Sequence, residues 1–316
     1  MVTDSAGGSR VCMSETRKIP NKFNRRYVLK LETADKRVVT IGGDLTIEFN
    51  IVRNTLASAN TASFSVKNLA PKTRSAVYKD LYNVEEFRAI QFFAGYDDLQ
   101  KNAKLTLLFN GTIKSAYNNR PAGGTEFSTD IECFDGTLSA FDNINLNIKK
   151  GVELKEIFKE VTKSMTDIDG FTIGDGFNQK TYRGSTFMGN PKDYLRNLSG
   201  GKMFVDSRGV YILQENEVLE GSIKKIDNSN GILGTPRRQE LFVEIDMLFE
   251  PRLKPAQLIE LESVSAPEHN GTYKVVGFRH SGIISGSEGG TAITTATLQF
   301  VPEAKIVRDN NSEAKI

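Results

Sequence analysis

Apolar and polar side chains alternate along most of the chain, and this period of two residues is typical of β-strands. The clearest case covers residues 45–52, where Leu45, Ile47, Phe49 and Ile51 are separated by polar residues. A strand of this kind buries one face against a core and leaves the other in water. Similar runs recur almost to the carboxyl terminus, with short turns between them. The pattern therefore predicts a mainly β fold.

The middle of the chain changes to a helical period. Apolar residues within 152–165 recur at near-helical spacing, and a second short helix is predicted over residues 191–198. Strand-like runs on either side of Ser207-Arg208-Gly209 predict a hairpin. We interpret residues 151–230 as a small α/β insertion.

In other segments the periodicity of apolar and polar residues is weaker. Residues 170–190 are rich in glycine and are predicted to form turns, while residues 215–230 are polar and predict an exposed loop. Residues 71–81 predict a short helix that begins at proline, where the missing N–H costs least.

A short motif occurs twice. Asn110-Gly111-Thr112 and Asn270-Gly271-Thr272 each follow a predicted strand, and each is followed by a Thr-rich strand that ends near a Phe. Asn-Gly favours tight turns because both residues tolerate positive φ. One interpretation is an internal duplication, and the alternative is a coincidence of common hairpin chemistry.

We therefore expect a mainly β (β+α) protein with two related β-barrel-like domains. The predicted division is a flexible N-terminal arm (1–24), a first β-barrel-like domain (25–150), the α/β insertion (151–230), a second β-barrel-like domain (231–302) and a polar C-terminal tail (303–316).

Composition narrows the functional classes. The 316 residues include 41 basic and 39 acidic side chains, a net charge of +2, so there is little long-range field to attract a polyanion. The polar amino terminus does not resemble a signal peptide, and no apolar run reaches the length of about 18 residues that a membrane-spanning helix needs. Two distant cysteines make neither a disulfide framework nor a zinc site. We expect assembly in a reducing cytoplasm, without a membrane.

The sequence offers no candidate for catalysis, metal binding or cofactor binding. No nucleophile elbow and no zinc-protease motif occurs. His269 and His280 are the only histidines, and His280 is expected to bond a neighbour within a strand. Gly174-Asp175-Gly176 lacks the remaining glycine of a dinucleotide fingerprint and predicts a turn.

Two strands are candidates for pairing between subunits. Residues 88–96 and 257–263 are interpreted as sheet edges, whose free N–H and C=O groups pair readily with another chain. The candidate interface residues on them are Phe92, Ala94, Leu258 and Leu261.

Four basic residues near residue 230 form a candidate partner-contact loop: Lys224, Lys225, Arg237 and Arg238. The functional interpretation is a contact to an acidic partner or the rim of a channel. The alternative is ordinary solvated surface charge, which contributes little.

Four stretches, residues 45–74, 111–136, 231–263 and 270–282, together resemble the baseplate hub family of tailed phages. That family is related to the hub half of type VI secretion spike proteins and to late-control-D tail proteins. The first stretch carries Asn60-Thr61-Ala62-Ser63-Phe64, and the last carries Arg279-His280-Ser281-Gly282. Ile283 stands where similar proteins often have an acidic residue, so no special role is expected for that turn.

The resemblance implies a non-enzymatic virion protein of the tail baseplate. It implies a homotrimeric ring between the tail tube protein and the tail spike protein, in contact with other baseplate proteins, with DNA only as cargo through the lumen and with no cofactor. The alternatives are a tube-end or distal-tail ring protein and, from another class, a cell-wall hydrolase.

Overall fold

The structure is a computed structural model that describes residues 24–56, 59–83, 86–96, 105–120, 122–135, 142–221, 225–286 and 290–310. Strands make up 52% of the chain and helices 11%, which confirms the mainly β prediction. Most of the predicted N-terminal arm and the last six residues of the predicted tail lie outside the described residues. None of the helices that the structure describes is long and apolar enough to cross a membrane.

The elements fall into three groups along the chain. The first strand set contains β1 (Arg25–Glu32), β2 (Val38–Gly42), β3 (Ile47–Asn54), β4 (Thr61–Lys67), α1 (Pro71–Val77), β5 (Ala89–Tyr96), β6 (Thr106–Asn119) and β7 (Ser128–Phe134). The insertion, which in the structure begins at β8 and ends at β13 and not at residues 151 and 230, contains β8 (Ile144–Ile148), α2 (Leu154–Lys163), β9 (Gly170–Ile173), β10 (Ser185–Gly189), α3 (Pro191–Leu198), β11 (Met203–Asp206), β12 (Gly209–Ile212) and β13 (Glu217–Leu219). The second strand set contains β14 (Lys225–Asp227), β15 (Ile232–Gln239), β16 (Phe242–Leu248), β17 (Leu258–Glu262), β18 (Gly271–Ile284) and β19 (Ala292–Phe300), followed by β20 (Lys305–Val307).

Both strand sets belong to one 13-stranded sheet, whose main path is β15-β16-β19-β18-β3-β4-β7-β6-β5-β1-β2. The long strand β18 joins them, because its first residues pair with β17 and its last eight pair with β3. The path has two ends, and the sheets are not closed barrels. The expectation of barrel-like domains is corrected in this respect.

The order of six strands repeats. The first set runs β3-β4-β7-β6-β5-β1, and the second runs β15-β16-β19-β18-β17-β14. Both long strands, β6 and β18, carry a register shift at corresponding places, between Ile113 and Ser115 and between Val275 and Gly277. The copies differ at one end, because β1 is antiparallel to β5 whereas β14 is parallel to β17.

The Asn-Gly motifs do not mark this repeat. Asn110-Gly111 lies inside β6, so the predicted turn there is wrong. Gly111 is needed for close packing instead, because a Cβ would collide with the carbonyl oxygen of Phe134. Asn270 precedes β18, and its side chain accepts a hydrogen bond from the Ser263 amide at 2.6 Å. The two motifs lie at different distances from the register shifts.

The first strand set buries an aromatic core. Phe92 lies with its ring centroid 5.4 Å from Phe49 and 4.9 Å from Phe64. Phe249, from the segment after β16, adds its ring 5.7 Å from Phe49, and its carbonyl accepts a hydrogen bond from the Tyr96 hydroxyl. A residue of the second set therefore completes the core of the first.

The insertion has its own core, between two helices and a three-stranded sheet of β11, β12 and β9. Helix α2 buries Ile157, Phe158 and Val161, as its predicted period requires. The predicted hairpin is confirmed by pairing of β11 with β12, and Ser207 and Arg208 take positive φ in its turn.

Three predictions of irregular structure are wrong in part. Residues 170–190 contain β9 and β10, and residues 215–230 contain β13 and β14. Within the predicted tail, β20 pairs in parallel with the buried β13. Each of these short strands has apolar residues within a polar or glycine-rich segment, and backbone hydrogen bonds pair it with a neighbouring strand. Helix α1 begins at Pro71 as predicted but ends at Val77.

Truncating Phe249 should therefore destabilise the whole sheet. We expect Phe249→Ala to lower the free energy of unfolding by about 3–5 kcal/mol, because it removes a buried ring and leaves a cavity. Phe300 is 55% exposed, and Phe300→Ala should cost less than about 1 kcal/mol. Urea unfolding of both variants measures the difference, and equal losses would contradict this role of Phe249.

Candidate functional site

Within the described residues, the strand sets meet at one backbone ladder, which we call the sheet junction: β3 and residues 277–284 of β18. The register is antiparallel, from Gly277 opposite Asn54 to Ile284 opposite Ile47. Continuous hydrogen bonding fixes both the distance and the twist between neighbouring strands. The junction therefore sets the orientation of the second set relative to the first.

Arg53 connects the sheet junction to the insertion. Its side chain is buried beneath the Phe278 ring, and its guanidinium makes a two-point contact with the Asp206 carboxylate, with Nε donating at 2.7 Å. It also donates to the Leu108 carbonyl of β6. Bidentate Arg–carboxylate pairs fix geometry as well as charge. The end of β11 is thereby held on β3.

Two further residues complete this polar network, which we define as Arg53, Asn60, Asp135 and Asp206. The Asn60 side chain donates to Asp206 at 2.9 Å and to Asp135 at 3.3 Å. Asp135 accepts a hydrogen bond from the Ser207 amide at 2.7 Å. Burial, and then the negative charge of Asp206, raise the pKa of Asp135 to about 6. The network sits where both strand sets and the insertion come together.

His280 lies on the same junction, where it is buried and has a structural role. Its Nδ1 lies 2.8 Å from the Thr294 hydroxyl, which confirms the prediction that it bonds a neighbour. Burial, assisted by the positive charge of Arg53, lowers the pKa of His280 to about 3. The imidazole is therefore neutral at ordinary pH. Among the described residues there is no group of His, Cys, Asp and Glu that could hold a metal ion.

The first predicted edge strand is not an edge. Strand β5 is bonded to β1 on one side and to β6 on the other. Phe92 and Ala94 are completely buried in the core. The prediction for them is wrong because β1 occupies the side that would otherwise be free.

The second predicted edge strand is also internal. Strand β17 lies between β14 and β18, with Leu261 opposite Ile226 on one side and Gly271 on the other. Leu258 is opposite Lys274 of β18. The ends of the main sheet path within the described residues are instead β2 and β15.

The predicted basic contact is partly neutralised by the chain's own carboxylates. Lys225 pairs with Glu262, and Arg237 contacts Glu244 at 2.7 Å and Asp246 at 2.9 Å. Lys224 lies outside the described residues. Arg238 is exposed and donates to the Glu240 carbonyl. A contact of these residues with a partner stays a prediction.

The glycine motif in the insertion is a turn, as predicted. The Gly176 amide donates to the buried carboxylate of Glu217 at 2.8 Å. The amide of this turn is therefore already paired with a carboxylate of the protein.

The alternation of the strands carries a signal for the polar network. Arg53 continues the odd-numbered, core-facing positions of β3, after Phe49 and Ile51. Asp135 likewise follows Ile131 and Cys133. A charged residue at a buried position of an alternating strand indicates a buried partner.

The family model for "Baseplate hub gp41" matches residues 28–281. The chain belongs to this family of phage baseplate hub proteins. The family is structural and is not a family of enzymes. This hub chain is therefore a structural component of the phage tail baseplate and of the virion. A comparison with curated proteins gives no match.

Solved structures support the fold of the hub chain. The 43 kDa tail protein of prophage MuSo2 from Shewanella oneidensis is similar with a TM-score of 0.57 at 8% identity, over 89% of this chain and 100% of that one. A tail protein of Neisseria meningitidis gives 0.53 at 9%, over 89% and 99%. A type VI secretion component of E. coli, described as similar to the T4 bacteriophage tail proteins gp27 and gp5, gives 0.53 at 10%, over 87% and 78%.

The raised pKa of Asp135 predicts a specific pH dependence. Its usual pKa is 3.8, so between about pH 4 and 6 the unfolded chain loses this proton before the folded chain does. The contribution of Asp135 to stability therefore falls as the pH rises through this window, by up to about 3 kcal/mol. An asparagine side chain cannot ionise, so Asp135→Asn should gain stability relative to the natural protein between pH 4 and 7.

Urea unfolding of both proteins at pH 4.5 and 7.5 tests this expectation. Asp44→Asn, at an exposed position, is the matched control and should follow the natural protein. Parallel pH curves for Asp135→Asn and the natural protein would show that burial does not penalise this carboxylate.

Proposed function

We propose that three copies of this chain form a closed ring that adapts a six-fold tail tube to a three-fold spike. The main support for this proposal is the repeated order of six strands. Each chain offers two similar structural units, so three chains supply six similar positions around an axis. Head-to-tail contacts that close are the geometry of cyclic oligomers.

Rigidity supports the same role. A subunit that transmits force between tube and spike must keep its two units in fixed orientation. The sheet junction does this through backbone hydrogen bonds, and the polar network attaches the insertion to the same place. Shape and stiffness then perform the function, without a catalytic centre.

The proposed partners are the tail tube protein on one face, the tail spike protein on the other, and other baseplate proteins around the ring. DNA would pass through the lumen as cargo. A net charge of +2 fits this passage, because a strongly basic lumen would retain DNA. We also propose assembly in the bacterial host cytoplasm, where the buried thiol of Cys133 stays reduced.

The mass and symmetry of the purified protein test the proposal. Light scattering should give three times the chain mass of 35.0 kDa, because three chains complete the circle. Averaged electron micrographs should show six similar densities with three-fold symmetry. A ring of six chains would instead favour a tube-end or distal-tail ring protein, and a compact monomer at high concentration would contradict both.

A further inference from the structure

Within one chain, the outer edge of β3 is covered by the second half of β18. Strand β15 takes the place of β3 in the second copy of the strand order, and each forms a hairpin with the next strand. In the described part of the chain, β15 pairs only with β16, so its other edge is open. This edge of β15 therefore has no counterpart of the strand that covers β3 within the described residues.

The counterpart of β18 in the first set is β6. The register shifts place Ser115 of β6 where Gly277 stands in β18, so the last residues of β6 correspond to the half of β18 that covers β3. On this side of β6 beyond the shift, the described residues make one bridge, between Lys79 and Ala116. A strand that approaches here would meet the segment around Lys79 first.

That segment and the neighbouring end of β6 carry exposed side chains with large apolar surfaces, which we call the tyrosine patch: Tyr78, Leu81 and Tyr82 from the segment, and Tyr117 from β6. They are 46%, 40%, 89% and 40% exposed. The rings of Tyr78 and Tyr117 pack edge to face at 6.1 Å, and the Leu81 amide donates to the Tyr117 hydroxyl. Clustered, exposed tyrosines are typical of the centres of protein interfaces.

The surface around β15 is complementary to this patch. Leu233 on β15 is 37% exposed, and Leu241 in the following turn is 79% exposed. Arg238 is an exposed cation, and Asp80 lies within the segment that bears the patch. Six strands of the sheet separate β15 from β6, so the contact joins different copies.

We propose that β15 of one copy packs against the tyrosine patch of the next copy, in the place that β3 takes on β18 within a chain. The contact is head-to-tail, because it joins the second strand set of one chain to the first set of another. It rests on the proposed ring, and it names the surfaces that close that ring. Lys79 already pairs with β6 at Ala116, in the region that corresponds to the β3–β18 ladder of the second set. In the proposed contact, side chains of the tyrosine patch therefore replace part of that backbone ladder.

A pair of matched substitutions tests the patch. We expect Tyr82→Asp to raise the dissociation constant of the assembly at least ten-fold in sedimentation velocity, because it places a charge in the apolar contact. Tyr182, on the insertion, is 94% exposed and provides the control, and Tyr182→Asp should assemble as the natural protein does. Circular dichroism and the melting temperature establish that both variants are folded.

Disulfide trapping tests the pairing of surfaces directly. Chains that carry Cys12→Ser with Tyr82→Cys are mixed with chains that carry Cys12→Ser with Arg238→Cys, and oxidised. The proposal predicts a covalent dimer between the two kinds of chain. The yield of this dimer should be at least ten-fold lower when Tyr182→Cys replaces Tyr82→Cys.

The outcomes separate this inference from the proposed function. If rings form, but Tyr82→Asp assembles normally and no disulfide appears, the inference is overturned and the trimeric ring stands. If the natural protein forms no ring at any concentration, both are overturned.

Discussion

The ladder between β3 and β18 is the constraint on which the rest of the structure depends. An edge strand exposes unpaired backbone groups, and burying them without partners is costly. Here each edge satisfies the other across eight residue positions. Because β18 is also bonded to β19 along its length, the second strand set cannot move without breaking the ladder. Two related units thereby become one body.

The polar network adds orientation more than net stability. Removing one partner of a buried ion pair typically costs about 3–5 kcal/mol, whereas the intact pair contributes little beyond what apolar residues of the same size would give. The pair of Arg53 with Asp206 therefore enforces one position of the insertion on the sheet. Two neighbouring groups then have opposite effects on stability. Asp135 disfavours folding as the pH rises from about 4 to 6. His280, with its usual pKa of 6.5 lowered to about 3, disfavours folding as the pH falls below 6.5.

The sequence predicted those features that depend on local pattern. Alternation over residues 45–52 located β3, helical spacing located α2, and turn residues located the β11–β12 hairpin. It did not predict which strands are neighbours. One of the two partners of β3 is β18, which lies more than 200 residues later in the chain. No local pattern encodes that pairing. For the same reason the pattern predicts edges at β5 and β17, although β1 and β14 cover them.

The candidate site shows the same limit. Arg53 and Asp135 stand at core-facing positions of their strands, so the presence of buried partners was predictable. The identity of Asp206 as the partner was not, because it lies in another group of elements. The two Asn-Gly motifs that suggest a repeat in the sequence are not equivalent in the structure, whereas the strand order itself repeats. Topology is thus a better record of this repeat than the residues at its turns.

Native-state hydrogen exchange tests the central claim most directly. Amides of residues 47–54 and 277–284 at the sheet junction should exchange as slowly as those of the β4–β7 ladder, and only through global unfolding, because one sheet unites both sets. Exchange at the junction about a hundred-fold faster than within either strand set would show that the two units open independently, and would contradict a single rigid body.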